Sequence, residues 1–415
     1  MTNTTTLHNN TDSKIKAIGC FIFGGSQTIG HLKAGWNVDR VLEMTENMKE
    51  INSAHFVRNY PDIPVILPSE WEAEGYLESL NGKYDLFFAN NPCSGLSRIN
   101  LHASAENKTN DHFYDVFKII KKIEPKMFFL ENAPTLVSYG TPILKKMLDM
   151  ISDDYRFTII RDKAANHGVC MQRMRTFVIG WSRKHFDKIP LINMNKEKPV
   201  SINEVIGKSL EGVANCEPVP GKDSYKDCYP LYKYVKTGET ILRTSIRIFD
   251  EHSDEFSPKW KRLVEHEMDK IKKKGHNGIW DKSPLRPNGE KFAPSMTSLS
   301  YIIHPTENRE FYIREYARLM GYPDEFIFYP EASKVTCVQA CAQGVPVNFI
   351  WYISKELRRV FEGKDVEYSG DETKDLVFQN HSANEYVSFT KDEFKALPGD
   401  LLTTYSKEQA VKLTK

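Results

Sequence analysis

The sequence predicts an α/β fold built on a parallel or mixed sheet, and two observations carry the prediction. From Lys14 to about Trp181, short apolar runs alternate with stretches of helical spacing. Most of the runs are continuous rather than alternating, the pattern of strands buried on both faces. In order, "IKAIGCFIF", "VDRVLEM", "IPVIL", "YDLFFAN", "KMFFLENA", "RFTIIRD" and "RTFVIGW" read as strands. "DHFYDVFKIIKKI" and "TPILKKMLDMI" between them carry apolar residues three and four apart and read as helices. From about Ser182 to Ala293 the chain turns rich in Pro, Gly and charge, which predicts a second, loop-rich domain. "VPVNFIWYISKELRRVFEG" is helical again, and residues 364–415 are mostly polar and read as a loosely attached extension.

Composition excludes several classes of protein. The 415 residues suffice for about two to three domains, and 40% hydrophobic with 27% charged content is ordinary for a soluble globular chain. Lys+Arg 56 against Asp+Glu 55 leaves a formal charge of +1, so any nucleic-acid contact must come from a local basic patch. Seven scattered cysteines without a Cys-x-x-Cys pair argue against a disulfide framework and against a zinc site, so no metal is expected. No run approaches the ~18 apolar residues of a membrane span, and a cytoplasmic location without membrane contact is expected.

In an open α/β sheet, ligands bind beyond the carboxyl ends of the strands, and the chemically suggestive residues fall there. "FIFGGSQTIGHLKAGW" follows the first strand, and Gly24, Gly25 and Gly30 offer the tight turn and close backbone approach that a nucleoside cofactor requires. Glu43 ends the second strand, where a carboxylate can accept hydrogen bonds from ribose hydroxyls. Cys93 follows "YDLFF" in "NNPCSGLS"; a lone intracellular cysteine is usually an inert core residue, unless other residues supply the partners of a covalent reaction. Glu131, followed by Asn132 and Pro134, closes another strand, and Arg173 and Arg175 stand two apart where the last one begins, so both point to one face.

These residues carry a resemblance. Pro92-Cys93, Glu131-Asn132 and Arg173-x-Arg175, in that order behind a glycine loop, resemble the cytosine-5 DNA methyltransferases. "ENREFYIREYARLMGYPDEF" and "AQGVPVNFIWYISKEL" are similar to the family's later motifs. The resemblance spans roughly residues 18–362 and implies an S-adenosylmethionine-dependent, Rossmann-like core with a smaller irregular target-recognition domain. It divides the chain into a polar tail 1–13, a core 14–185, a target-recognition domain and hinge 186–329, a return of the core 330–363 and the extension 364–415. It implies that Cys93 adds to carbon 6 of cytosine, that Glu131 donates to ring nitrogen 3, that Arg175 holds the base carbonyl and that Arg173 braces the site. Phe23, Gly24, Gly25, Ser26, Glu43, Met44, Pro92, Gln343 and Val345 would hold S-adenosylmethionine.

The partner implied is double-stranded DNA, lying between the two domains with the target base flipped out and the stretch 94–112 closing over it. Lys236, Arg243, Arg247 and the run Lys270, Lys272, Lys273, Lys274 are candidate contacts. A monomer is expected, with a restriction endonuclease as a partner, and tRNA methylation or a catalytically silent DNA-binding relative are the alternatives. The sequence also departs from the family. In "FIFGGS", Phe23 stands at the first glycine position of Phe-x-Gly-x-Gly-Gly and Ser26 at the last. Ser69, beside Glu70, stands where an aspartate is expected, Met171 replaces a glutamine, and Asn91-Pro92-Cys93-Ser94 replaces Pro-Pro-Cys-Gln.

Overall fold

In the computed structural model, residues 15–46, 53–97, 100, 102–216, 226–274, 281, 283–296, 301–329, 332–381, 383–397, 399 and 411–412 are described. They form two compact units. The first comprises residues 1–167, 173–197 and 344–415, and the second comprises 168–172 and 198–343.

The first unit is built on one sheet whose strands are β1 (Lys16–Cys20), β2 (Asn37–Leu42), β3 (Val65–Ile66), β4 (Leu86–Asn90), β5 (Met127–Asn132), β6 (Tyr155–Lys163), β7 (Met174–Ser182), β8 (Leu376–Asn380), β9 (Glu385–Phe389) and β10 (Val411–Lys412). All seven apolar runs of the sequence appear among them. The spatial order is β10-β9-β8-β6-β7-β5-β4-β1-β2-β3. β4 and β5 are buried along their whole length, as their unbroken apolar sequences require.

Two features of this topology place the site. β1 pairs in parallel with both β2 and β4, so the chain winds one way through β2 and β3 and then resumes on the other side at β4. The crevice at such a reversal is where ligands bind. β7 runs antiparallel between β5 and β6, which brings its beginning level with the end of β5: Thr176 pairs with Asn132 and Phe177 with Glu131.

The helices cover the sheet. They are α1 (Ser26–Lys33), α2 (Ala54–Asn59), α3 (Asp111–Ile123), α4 (Thr141–Ile151), α5 (Val347–Phe361) and α6 (Lys391–Ala396). α5 buries Val347, Ile350, Ser354, Leu357 and Val360, one stripe at helical spacing, and His31 Nδ1 on α1 lies 2.7 Å from Ser354 Oγ. Gly30 lies inside α1 rather than in a turn, and a Cβ there would meet Ile350 Cβ at 2.6 Å. Its role is helix packing, not the cofactor turn expected of it.

The segment 364–415 also differs from a loosely attached extension. β8 pairs in parallel with β6, β9 returns antiparallel to β8, and Leu376, Phe378, Val387, Phe389 and Phe394 join the main hydrophobic core. Charged residues around two five-residue strands made their apolar content look small.

The second unit has its own core, with Leu231, Tyr232, Ile241, Trp260, Val264 and Ile303 among its buried residues. Its described residues form irregular loops and short helices, among them Ile241–Arg247, Pro258–Lys274, Ile313–Leu319 and Lys334–Gln343. The guanidinium of the fully buried Arg314 donates to the carbonyls of Ala214, Pro323 and Phe326 and ties the loop at Ala214 to the one at 323–326.

Candidate active site

The loop after β1 has an unusual backbone. Phe21 and Phe23 take positive φ values of 60° and 48°, and Gly25 follows at 86° as the residue that caps α1. The left-handed region costs a side-chain-bearing residue about 1–2 kcal/mol. The glycine-like turn is thus kept at Phe23 without the glycine. Gly25 is needed for a second reason, since a Cβ there would overlap the Phe56 ring.

Glu43, just past β2, is fully buried beside this loop and accepts a hydrogen bond of 3.0 Å from Ile22 N through Oε1. Its Oε2 has no partner among the described residues, nor have Ser26 Oγ and Gln27 Oε1 in the first turn of α1. Burial pushes the Glu43 carboxyl up to about 7, against the pull of the Ile22 and Met44 amides. A buried polar atom without a partner costs about 1–3 kcal/mol, so three of them around one loop mark a place for a polar ligand. Ribose hydroxyls are fitting donors for Glu43. Gln27 was not singled out in the sequence, because a glutamine after a glycine loop carries no distinctive signal.

Of the other residues expected here, Met44 and Phe23 are partly buried against the main core, as is Cys93, and Val345 is fully buried. Gly344, beside Val345, comes so close to Ser26 that a Cβ on it would overlap Ser26 Oγ. Gln343 belongs to the second unit, as the last residue of its helix Lys334–Gln343. Ser69 presents its backbone amide to Glu46, and Glu70 closes the cap of its own short helix, so neither carboxylate replaces the expected aspartate directly.

At the end of β4, Pro92 and Cys93 open a turn closed by Leu96 N to Cys93 O at 3.0 Å. Cys93 is a free, half-buried thiol. The turn is tied to β5 by Asn132 Nδ2 on the Asn91 carbonyl at 3.1 Å, and Thr135 and Tyr139 both donate to the Leu96 carbonyl. Glu131 is buried, and Arg175 Nε stands 2.6 Å from its Oε1, an ion pair whose angle is not that of a hydrogen bond. Burial raises the Glu131 pKa, and the charges of Arg175 and Arg173 oppose that rise without cancelling it.

Arg173, just before β7, is also buried. Burial and then Arg175 push its pKa down to about 9, with Glu131 and Cys93 acting in the opposite sense, so it remains a cation at neutral pH. Cys93, Glu131, Arg173 and Arg175 are thus brought together: a thiol, a carboxyl whose pKa burial raises, and two guanidinium groups. Such a set can add a nucleophile to an electron-poor ring while a proton is delivered to the ring.

The basic candidates of the second unit differ among themselves. Arg247 is committed to Glu239 and the Tyr234 carbonyl, and Lys270 to Glu267. Arg243 is 73% exposed with only a 4.0 Å pair to Asp281, Lys272 has a 3.9 Å pair to Asp269, and Lys236 and Lys273 are exposed. The side chain of Lys274 and residues 98, 99 and 101 of the stretch after Cys93 lie outside the described residues.

A doubly wound sheet with a strained glycine-type loop and an unsatisfied buried carboxylate at its reversal point is that of an S-adenosylmethionine-dependent methyltransferase with a Rossmann-like core. The chain belongs to the C-5 cytosine-specific DNA methylase family, which matches residues 41–359, and it is a DNA cytosine-5 methyltransferase. It is 26% identical over 337 residues to type II methyltransferase M.DdeI of Desulfomicrobium norvegicum, covering 75% of this chain and 79% of that protein. It is 24% identical over 361 residues to type II methyltransferase M.MthTI of Methanothermobacter thermautotrophicus, covering 83% and 98%. A crystal structure described as a DNA modification methyltransferase encoded within an E. coli prophage shares the fold, with TM-score 0.58 at 17% identity over 84% of this chain and 99% of that one. No helix among the described residues is long and apolar enough to cross a membrane.

Proposed function

We propose that the chain flips a cytosine out of duplex DNA and methylates its carbon 5 through a covalent adduct with Cys93. The observation that supports this reading is the half-buried Cys93 thiol grouped with a buried Glu131 whose pKa burial raises. The Cys93 thiolate adds to carbon 6, the ring electrons move toward nitrogen 3, and Glu131 gives that nitrogen its proton. Arg175 orients Glu131 and holds the base carbonyl, and Arg173 braces both. S-adenosylmethionine, when bound, supplies the methyl group that carbon 5 receives, and Glu43, Ser26 and the loop of Phe23, Gly24 and Gly25 hold it, with Met44, Pro92 and Val345 at the rim. Loss of the carbon 5 proton, return of the nitrogen 3 proton to Glu131 and departure of Cys93 complete the turnover. The base is out of reach inside a duplex, so it must leave the stack.

Because the relatives are named type II methyltransferases, we assign the chain the modification role of a restriction-modification pair, as a cytoplasmic monomer. Duplex DNA with 5-fluorocytosine at the target blocks the final proton loss and should trap the protein in a denaturant-resistant complex. Trapping that persists in Cys93→Ala sinks the covalent step. Methyl transfer to tRNA but not to duplex DNA sinks the choice of substrate.

A further inference from the structure

Asp162, near the end of β6, is fully buried and accepts four hydrogen bonds. Its Oδ1 takes Lys163 N and Asn166 Nδ2, both at 2.7 Å, and its Oδ2 takes His167 Nε2 at 2.7 Å and His381 Nδ1 at 2.9 Å. Burial alone would raise its pKa, but the hydrogen bonds from the two histidines outweigh burial and hold it well below the usual carboxylate range. His167 Nδ1 lies 2.8 Å from the Asn195 carbonyl. His381 donates from Nδ1, and its Nε2 has no partner among the described residues.

The cluster lies one strand from the proposed site. Asp162 pairs with Arg175 across β6 and β7, and the turn between these strands is closed by Ala164 N on the Arg173 carbonyl at 2.8 Å. His381 arrives on the chain just after β8, whose Asn380 pairs with Arg161. That strand lies past residue 359, where the family match ends.

We infer that His381 is a positioning residue for methyl transfer: by holding Asp162 it fixes the β6–β7 turn that sets Arg173 and Arg175 against Glu131. The inference rests on the reading of Glu131 and the arginines given above. A misplacement on the order of 1 Å in such a group costs about 10²-fold in rate, which a strand added beside β6 can prevent. Three ligands of this kind also suit a divalent transition metal. However, nitrogens and oxygens around one tetrahedral zinc stand about 3.3 Å apart, given zinc–ligand distances of about 2.0–2.1 Å. The 2.7 and 2.9 Å separations here are those of direct hydrogen bonds.

The test compares the full-length protein with His381→Ala, His381→Asn and Gln379→Ala. Asparagine keeps a donor near the position of Nδ1. Gln379 anchors the same strand to the Ile192 backbone, with bonds of 3.0 and 3.2 Å, and makes no bond to Asp162. kcat and KM for duplex DNA are measured per binding-competent site, counted by titration with S-adenosylhomocysteine. His381→Ala should lower kcat by about tenfold or more with KM within about twofold, His381→Asn should restore most of it, and Gln379→Ala should lower the melting temperature but not kcat. An unchanged kcat in His381→Ala, or an equal loss in Gln379→Ala, overturns the inference.

Amide hydrogen exchange over residues 164–176 reads the same latch without activity: it should quicken in His381→Ala and not in Gln379→Ala. A wild type inactive on duplex DNA that keeps this difference fails the functional reading and supports the latch. One equivalent of a transition metal in the wild type, lost in His381→Ala, overturns the latch in favour of a metal site.

Discussion

Glu131 and Glu43 are both buried carboxyls with raised pKa values, and their surroundings give them different work. Glu131 faces two guanidinium groups, and burial leaves its pKa raised in spite of them. As the proton donor it works only while protonated, so the methylation rate should fall as pH rises through its pKa. Glu131→Gln cannot donate that proton, and its kcat should drop by about 10²- to 10⁴-fold with little change in DNA affinity, measured by single-turnover kinetics and gel shift. Glu43 has no cation beside it among the causes of its shift and stands at about 7 in the folded protein against 4.5 for the free side chain. Between those values the folded state holds a proton that the unfolded state has lost. Glu43's contribution to stability without cofactor is therefore full below about 4.5 and is lost as pH rises toward 7, by about 3 kcal/mol. Ribose hydroxyls donate to the ionised form, so cofactor binding near pH 7 should release a proton. Calorimetry of S-adenosylhomocysteine binding in two buffers of different ionisation enthalpy should detect that release, and Glu43→Gln should abolish it. Cys93, Glu131, Arg173 and Arg175 were legible in the sequence because each falls at the edge of an apolar strand. The bond from His381 to Asp162 was not, because 219 residues separate the two and only the sheet order brings them together.

Among the elements, β1 to β7 announce themselves by apolar runs in the sequence, whereas β8 and β9 do not. "LVFQN" and "EYVSF" lie among charged residues, and β9 alternates between half-buried and buried positions near the margin of the sheet. Their burial is decided by what they meet, namely Phe157 and Ile159 on β6 and the core under α4, rather than by their own pattern. Deleting residues 364–415 would bare β6 as an edge and remove Leu376, Phe378, Phe389 and Phe394 from the core. Truncating even one large core side chain costs about 2–5 kcal/mol, and whole domains hold only about 5–15. The shortened chain should therefore fail to fold, which soluble yield and circular dichroism would report. A truncated protein melting at the wild-type temperature would count against the integral role given to these strands.

On the scale of the whole molecule, the second unit of the structure, 168–172 and 198–343, has a hydrophobic core of its own. A unit with its own core can be exchanged without dismantling the sheet that carries Cys93 and Glu131, and we place sequence choice there because its exposed Lys236, Arg243 and Lys273 suit phosphate and base contacts. The exchange has one structural condition. Residues 168–172 belong to the second unit although they lie in the β6–β7 connection, and Gln172 N and Ala293 N bond to Ala293 O and Cys170 O respectively. Replacing 198–343 with the matching region of a related methyltransferase should therefore succeed only when 168–172 is replaced with it. The sequence methylated in cells expressing such a hybrid, read by bisulfite sequencing, should then be that of the donor. A hybrid that folds, methylates and keeps the original sequence would place the choice of target in the first unit instead, in the loops that follow β4 and β5.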